Sequence, residues 1–215
     1  MPRDDRRAGR GRPVATTPVD IERAAFELFA RQGFGATTME DIAHAVGVSR
    51  RTLFRYFESK NDIPWGQFDD TLAGFRHVLA ETPADVPLAE AVARAVVAFN
   101  DFPPEVEPSH RARMRLILTT PELQAHSVLR YADWRRVIAE FVAARTGELP
   151  DALLPQTVGH VALGLALSAY EAWLDSVGTS IGDVLVDALA ALYDFLGAAR
   201  PTLPGNPTTP AWSGR

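Results

Sequence analysis

Residues 37–63 read TTMEDIAHAVGVSRRTLFRYFESKNDI, two amphipathic segments on either side of a glycine. After Thr38, the residues Met39, Ile42, Ala43 and Val46 fall on one helical face, and Gly47 is a stop signal. Asp41 stands three residues after Thr38, the spacing of a capping box with Asp in place of Glu or Gln. Ser49 can cap the next helix. Wound as a helix, residues 50–57 bring Leu53, Phe54 and Phe57 within an arc of about 100°, wide enough to bury on a helical core. Arg51 and Arg55 lie one turn apart on the far side, with Thr52 and Tyr56 as a second row beside them. Two short helices around the tight turn Gly47–Val48–Ser49 have helix-turn-helix spacing. A helix wetted by guanidinium and hydroxyl groups fits the major groove, where Arg can meet guanine and Thr a base edge or a thymine methyl. Arg50, in the first turn but over the apolar side, is placed for a phosphate.

The rest of the chain is also helical in pattern. Helices are expected over 19–32, 61–79, 87–100, 108–120, 121–147, 155–177 and 181–198, with breaks at Pro83, Pro87, Pro103, Pro104, Pro121, Pro150, Pro155 and Gly178. With the pair above this makes an all-α chain of about nine helices and no strand. The expected organisation is a basic arm over 1–17 and a three-helix DNA-binding domain over 18–62. A helical ligand-binding and dimerisation domain follows over 63–199, then a disordered tail over 200–215 whose four prolines show no periodicity.

The formal net charge of −5 conceals an asymmetry. Residues 1–60 carry eleven Lys/Arg against eight Asp/Glu, and the remainder is acidic. Local field matters more than the total for binding a polyanion. Cysteine is absent, which excludes disulfides and thiolate metal sites. The charged N-terminus lacks the apolar core of a secretory signal, and the run VALGLALSAY (161–170) is too short to span a bilayer. A soluble cytoplasmic protein without a membrane partner is expected. The five histidines, at 44, 77, 110, 126 and 160, lack the spacing of a metal pair, and there is no Gly-rich phosphate loop. Neither a catalytic set nor a cofactor is expected.

The block 37–63 resembles the DNA-binding region of TetR-family transcriptional regulators, and the nine-helix pattern is similar to their architecture. The segments SRRTLFRYFESKNDIPWGQFD, AVVAFNDFPPE and RMRLILTTPELQAHSVLRYADWR resemble one branch, the regulators that accompany mycofactocin biosynthesis clusters. The resemblance implies a homodimeric repressor of a nearby operon, released by an effector. It also implies phosphate contacts from Thr38, Tyr56 and Lys60, with Arg50, Arg51, Thr52 and Arg55 toward the groove beside the capping Ser49. Phe54 departs from the tyrosine common in the family, and Pro64 falls where the fourth helix should already be running.

Two readings of the arm GRGRP (9–13) stand side by side. Arg10 and Arg12 could enter a narrow A·T minor groove, or the arm could add only nonspecific attraction. For the dimer, Val158, Ala162, Leu165, Ala166, Ala169 and Trp173 form one stripe, and Val184, Leu185, Ala188, Leu189 and Leu192 another. Gly159 and Ala162 would let the helices of two copies approach closely. For the effector, Phe99, Phe102, Met114, Leu118, Tyr131, Trp134, Tyr170 and Trp173 are candidates to line an apolar pocket. Arg111, Arg115 and His126 are candidates for an anionic head group, which makes a long-chain acyl-CoA the type of ligand expected. The competing reading is a helical small-molecule or acyl-group binding module without DNA function. The basic outer face of 50–56 separates the two.

Overall fold

The computed structural model describes residues 16–102 and 109–197, and these hold nine α-helices and no strand. The chain divides into two compact units, one ending at Ile63 and one beginning at Pro64. Arg10, Arg12 and the tail over 200–215 lie outside the described residues.

The first unit holds α1 (Pro18–Gln32), α2 (Met39–Ala45) and α3 (Arg50–Leu53). Thr17 starts α1 through a capping box with Asp20, Pro18 occupies its first turn, and Gly33 ends it at φ 85°. Ile21, Ala25, Ile42 and Leu53 are fully buried and join Phe29, Phe34 and Phe57 in a small core. The expected helix over 50–57 is shorter than its pattern. Four residues are α-helical, and Arg55 and Tyr56 then close tight turns onto the carbonyls of Thr52 and Leu53. Phe54, expected on the buried arc with Leu53 and Phe57, is 39 % exposed. Once the helix tightens after Leu53, the 100° periodicity no longer carries Phe54 inward.

The expected fourth helix, starting near residue 61, is replaced at its beginning by a 3-10 helix, Lys60–Trp65, which contains Pro64. The α4 helix begins only at Phe68. A proline has no N–H to give an α-helical ladder, so the α-helix starts after it.

The second unit comprises α4 (Phe68–Ala80), α5 (Leu88–Phe99), α6 (His110–Thr119), α7 (Pro121–Thr146), α8 (Leu153–Asp175) and α9 (Ile181–Leu196). The α7 helix, 26 residues and so about 39 Å long, is its spine. Phe75 stacks on Trp134 at 5.4 Å, and Val137, Ile138, Val142, Ala169 and Leu185 continue the core around them. A Cβ at Gly159 would lie 3.1 Å from the backbone oxygen of Arg135. The smallness of Gly159 therefore serves the packing of α8 on α7 within one chain, not the approach of a second copy. Ala166, Ala169 and Trp173, expected in a dimer stripe, are likewise buried in this core. Among the described residues no helix is long and apolar enough to cross a membrane.

Candidate functional site

The turn into α3 is built from short-range hydrogen bonds. Thr38 caps α2, its hydroxyl donating to Asp41 at 2.7 Å while the Asp41 N–H returns to it at 3.1 Å. These bonds from Thr38 hold the Asp41 carboxyl below its usual range. Ser49 caps α3 by accepting from the Thr52 N–H at 3.1 Å, and its hydroxyl also meets that of Thr52 at 2.8 Å. Leu53 and Phe57 anchor the inner side, 0 % and 5 % exposed. Arg51 and Arg55 remain on the exposed outer side, and among the described residues neither has an ion-pair partner.

The neighbouring side chains are engaged. Arg50, expected at a phosphate, pairs with Glu40 at 2.7 Å and lies 5.2 Å over the Phe54 ring, both side chains being exposed. The Tyr56 hydroxyl donates to the Thr16 carbonyl at 2.9 Å, which ties the turn after α3 to the chain two residues before α1. Lys60 differs most from expectation. Its ammonium donates to the carbonyls of Phe34 and Thr37 at 2.6 and 2.8 Å and sits 4.3 Å from the Phe34 ring, rather than reaching outward. The loop between α1 and α2 leaves those carbonyls outside any helical ladder, and a cation satisfies both at once. From residue 16 to 60, six basic side chains are matched by six acidic ones. The positive character of this unit therefore lies in the exposed side of α3 and in the N-terminal arm.

The second unit contains an apolar cavity of about 100 Å³. Six of the expected lining residues meet there: Phe99, Phe102, Met114, Tyr131, Trp134 and Tyr170. Leu118 packs against the core beside them, and Trp173 donates its indole N–H to Thr179 at 2.9 Å. Neither lines the cavity, and nor does the half-buried His126.

Arg111 and Arg115 do not await a head group. Arg111 donates to the carbonyls of Trp173 and Ser176 at 2.8 and 3.1 Å, and Arg115 donates to Leu174 at 2.7 Å. Arg111 also stacks 4.1 Å from the Trp173 ring. The last carbonyls of α8 have no partner within their own helix, and two guanidinium groups fill that need.

Sequence reasoning missed the polar groups of the cavity. Asn100 donates Nδ2–H to Val96 at 2.7 Å, which turns its Oδ1 to accept the Tyr170 hydroxyl proton. Tyr170, having given its one proton away, can only accept from His110 Nε2–H at 2.7 Å. Burial, and then the charge of Arg113, lower the His110 pKa to about 3, so the imidazole is neutral. Burial pushes the Tyr170 phenol well above its ordinary value. Arg113, whose guanidinium donates to the Pro64 carbonyl at 2.6 Å, also faces the cavity, as do Trp65 and Phe68. Sequence separations of 60 and 70 residues conceal the His110–Tyr170–Asn100 chain, and only the aromatic density around it was readable. Among the described residues no group of three or more His, Cys, Asp or Glu could hold a metal ion.

Comparison with known proteins agrees on the type of molecule. Residues 21–63 match the model described as bacterial regulatory proteins of the tetR family, and residues 86–197 match that of the MftR C-terminal domain. A Mycobacterium tuberculosis protein, described as a candidate mycofactocin biosynthesis transcriptional regulator, MftR, is 48 % identical over 87 % of this chain and 93 % of its own. The HTH-type transcriptional regulator TcmR of Streptomyces glaucescens is 30 % identical over 90 % of this chain and 87 % of its own. Among solved structures, Thermus thermophilus FadR, a repressor in complex with lauroyl-CoA, aligns with a TM-score of 0.54 at 22 % identity, covering 88 % of this chain and 100 % of that one. At that identity the likeness is one of fold.

Proposed function

The chain belongs to the TetR family of bacterial regulatory proteins, in the branch marked by the MftR C-terminal domain, and from that premise we propose that it is a homodimeric, effector-released repressor. The observation that carries DNA binding is the exposed pair of Arg51, on α3, and Arg55, in the turn that follows it, above an inner side locked by Leu53 and Phe57. An arginine held this way can make a bidentate contact to guanine without first breaking an ion pair. Thr52 reads beside them, Thr38, Ser49 and Tyr56 shape the turn against the phosphates, and Arg10 and Arg12 extend the contact from the arm. The relative in M. tuberculosis points to a mycofactocin-related operon as the target, read in the cytoplasm.

Two recognition helices must lie about 34–36 Å apart to enter successive major grooves, which requires a dimer. The apolar groups left over by the core support an interface through α8 and α9. Leu153 and Phe195 are 85 % exposed, and Val161 and Leu196 also face solvent.

The cavity supports a largely apolar effector. An acyl thioester would place its chain among Phe99, Met114 and Trp134, with Arg113 rather than Arg111 or Arg115 nearest its charged end. Such a ligand releases the operator only by binding better to a dimer whose recognition helices are misplaced for DNA. The test uses fluorescence anisotropy on the chain's own upstream DNA, with acyl-CoAs of increasing length as competitors. Release that strengthens with chain length and is lost in Met114→Trp is the expected result. Operator binding unaffected by Arg51→Ala and Arg55→Ala would overturn the reading of α3. Full release by a small polar metabolite alone would overturn that of the effector.

A further inference from the structure

One peptide group in the first unit is held at both of its polar ends. The Thr16 carbonyl accepts the Tyr56 hydroxyl proton at 2.9 Å, across 40 residues of chain. The N–H on the other side of the same peptide bond, that of Thr17, donates to Asp20 Oδ2 at 3.1 Å. Asp20 also accepts the Thr17 hydroxyl proton at 2.7 Å and belongs to α1, which is seated in the core through Ile21 and Ala25. A peptide group is planar, so the two bonds set the plane from which the chain before Thr16 departs. Capping α1 requires only the Asp20 end. The Tyr56 end has no such duty. Its side chain is 41 % exposed, in the turn that also carries Arg55, where water could satisfy the phenol equally well.

The chain that departs there is the basic part of the first unit. Residues 1–15 hold five arginines against two aspartates, whereas residues 16–60 are balanced. We propose that Tyr56 is the positioning residue of the N-terminal arm: by holding the Thr16 carbonyl at the turn after α3, it delivers Arg10 and Arg12 to the DNA that flanks the bases α3 reads. The proposal rests on the reading of α3 and the arm as a DNA surface and adds the residue that joins them. An arm tethered at a fixed point meets the duplex at a higher effective concentration, and loses less freedom on binding, than one leaving an unpinned end. Guanidinium groups brought to the adjacent groove release counterions from the phosphates. The neutral Tyr56 hydroxyl releases none, and this separates the two roles open to it. Spent directly on a phosphate, it adds affinity without salt dependence. Spent on placing an arginine arm, it adds both.

The experiment measures operator affinity by fluorescence anisotropy from about 50 to about 200 mM salt. It compares the full chain, Tyr56→Phe, the pair Arg10→Ala and Arg12→Ala, and all three changes together. Replacing both arginines should lower the slope of log affinity against log salt by about two. Tyr56→Phe removes no charge, yet should lower that slope by about one and weaken binding about fivefold. In the chain lacking both arginines, the same change should add less than about a twofold loss. Only one exposed oxygen is removed, so the melting temperature of Tyr56→Phe should match that of the unmodified protein. Equal weakening by Tyr56→Phe in both backgrounds, with the slope unchanged, makes the hydroxyl a direct phosphate contact and overturns the proposal. So does a Tyr56→Phe protein that binds like the unmodified one while the arginine pair carries its full slope, since the arm then finds DNA unaided. If the arginine pair changes neither affinity nor slope, the arm does not touch the operator, and that reading falls together with the proposal built on it.

Discussion

At Arg51 and Arg55, two guanidinium groups stand in water with their hydrogen-bonding capacity unused, whereas around α6 and α8 the polar groups are turned inward and bonded. Arg51 and Arg55 are exposed and have no ion-pair partner among the described residues, while Arg111 and Arg115 together donate to carbonyls at the end of α8. The same side chain therefore takes two roles in one molecule, the proposed recognition where it is unengaged and helix capping where it is enclosed. Lys60 belongs with the second group although it stands in the first unit.

The contrast is most exposed to test at α3. The double change Arg51→Ala and Arg55→Ala should weaken operator binding at least about a hundredfold, at a cost of about 1–3 kcal/mol for each specific contact. The melting temperature should hardly move. A large loss of stability would place these two arginines with the enclosed ones.

Lys60→Met tests the exception. It should destabilise the first unit by about 2–3 kcal/mol in urea unfolding, because two carbonyls lose a charged donor. The slope of log affinity against log salt should stay unchanged. If the slope instead falls by about one with stability intact, Lys60 is a phosphate ligand after all. Arg111→Met should cost the second unit about 1–2 kcal/mol and leave effector release as it was, since the guanidinium serves α8 rather than the cavity.

The enclosed chain also predicts a pH dependence. His110 titrates near 3 when folded, well below its ordinary value of 6.5, so the unfolded state binds the extra proton first. Stability is then fully present above about pH 6.5 and is lost as pH falls toward about 3, by about 1 kcal/mol per pH unit. His110→Phe should flatten that slope in urea midpoints measured from pH 7 to 4. A slope that persists would assign the acid sensitivity elsewhere. The smallest effect belongs to the exposed pair of Arg50 and Glu40, where Glu40→Ala should change stability by less than about 0.5 kcal/mol.

Local signals were the legible ones. The capping box at Thr38 and Asp41, the cap at Ser49 and the stop at Gly33 were readable because each depends on neighbours within four residues. The placement of Phe54 was not, since periodicity assumes a helix that continues past Leu53. Large apolar side chains in the second unit were enough to point to an apolar cavity, and six of the eight named residues line it. The partners of arginine were beyond reach. One written motif, a pair of basic residues a turn apart, describes both Arg51 with Arg55 and Arg111 with Arg115. Only the fold shows that α8 ends beside the second pair and nothing described pairs with the first.

The shortness of α3 couples binding to folding. Four residues cannot hold a helix in water, because nucleation costs more than so few bonds return. The DNA-reading surface is therefore borrowed from the core beneath it, through Leu53 and Phe57, and exists only while that core is intact. By mass action, an operator that binds only the folded form must raise the melting temperature of the first unit in proportion to the logarithm of its concentration. The converse also holds. A conservative thinning of this small core, far from any phosphate or base, will register as weakened repression before it registers as an unfolded protein.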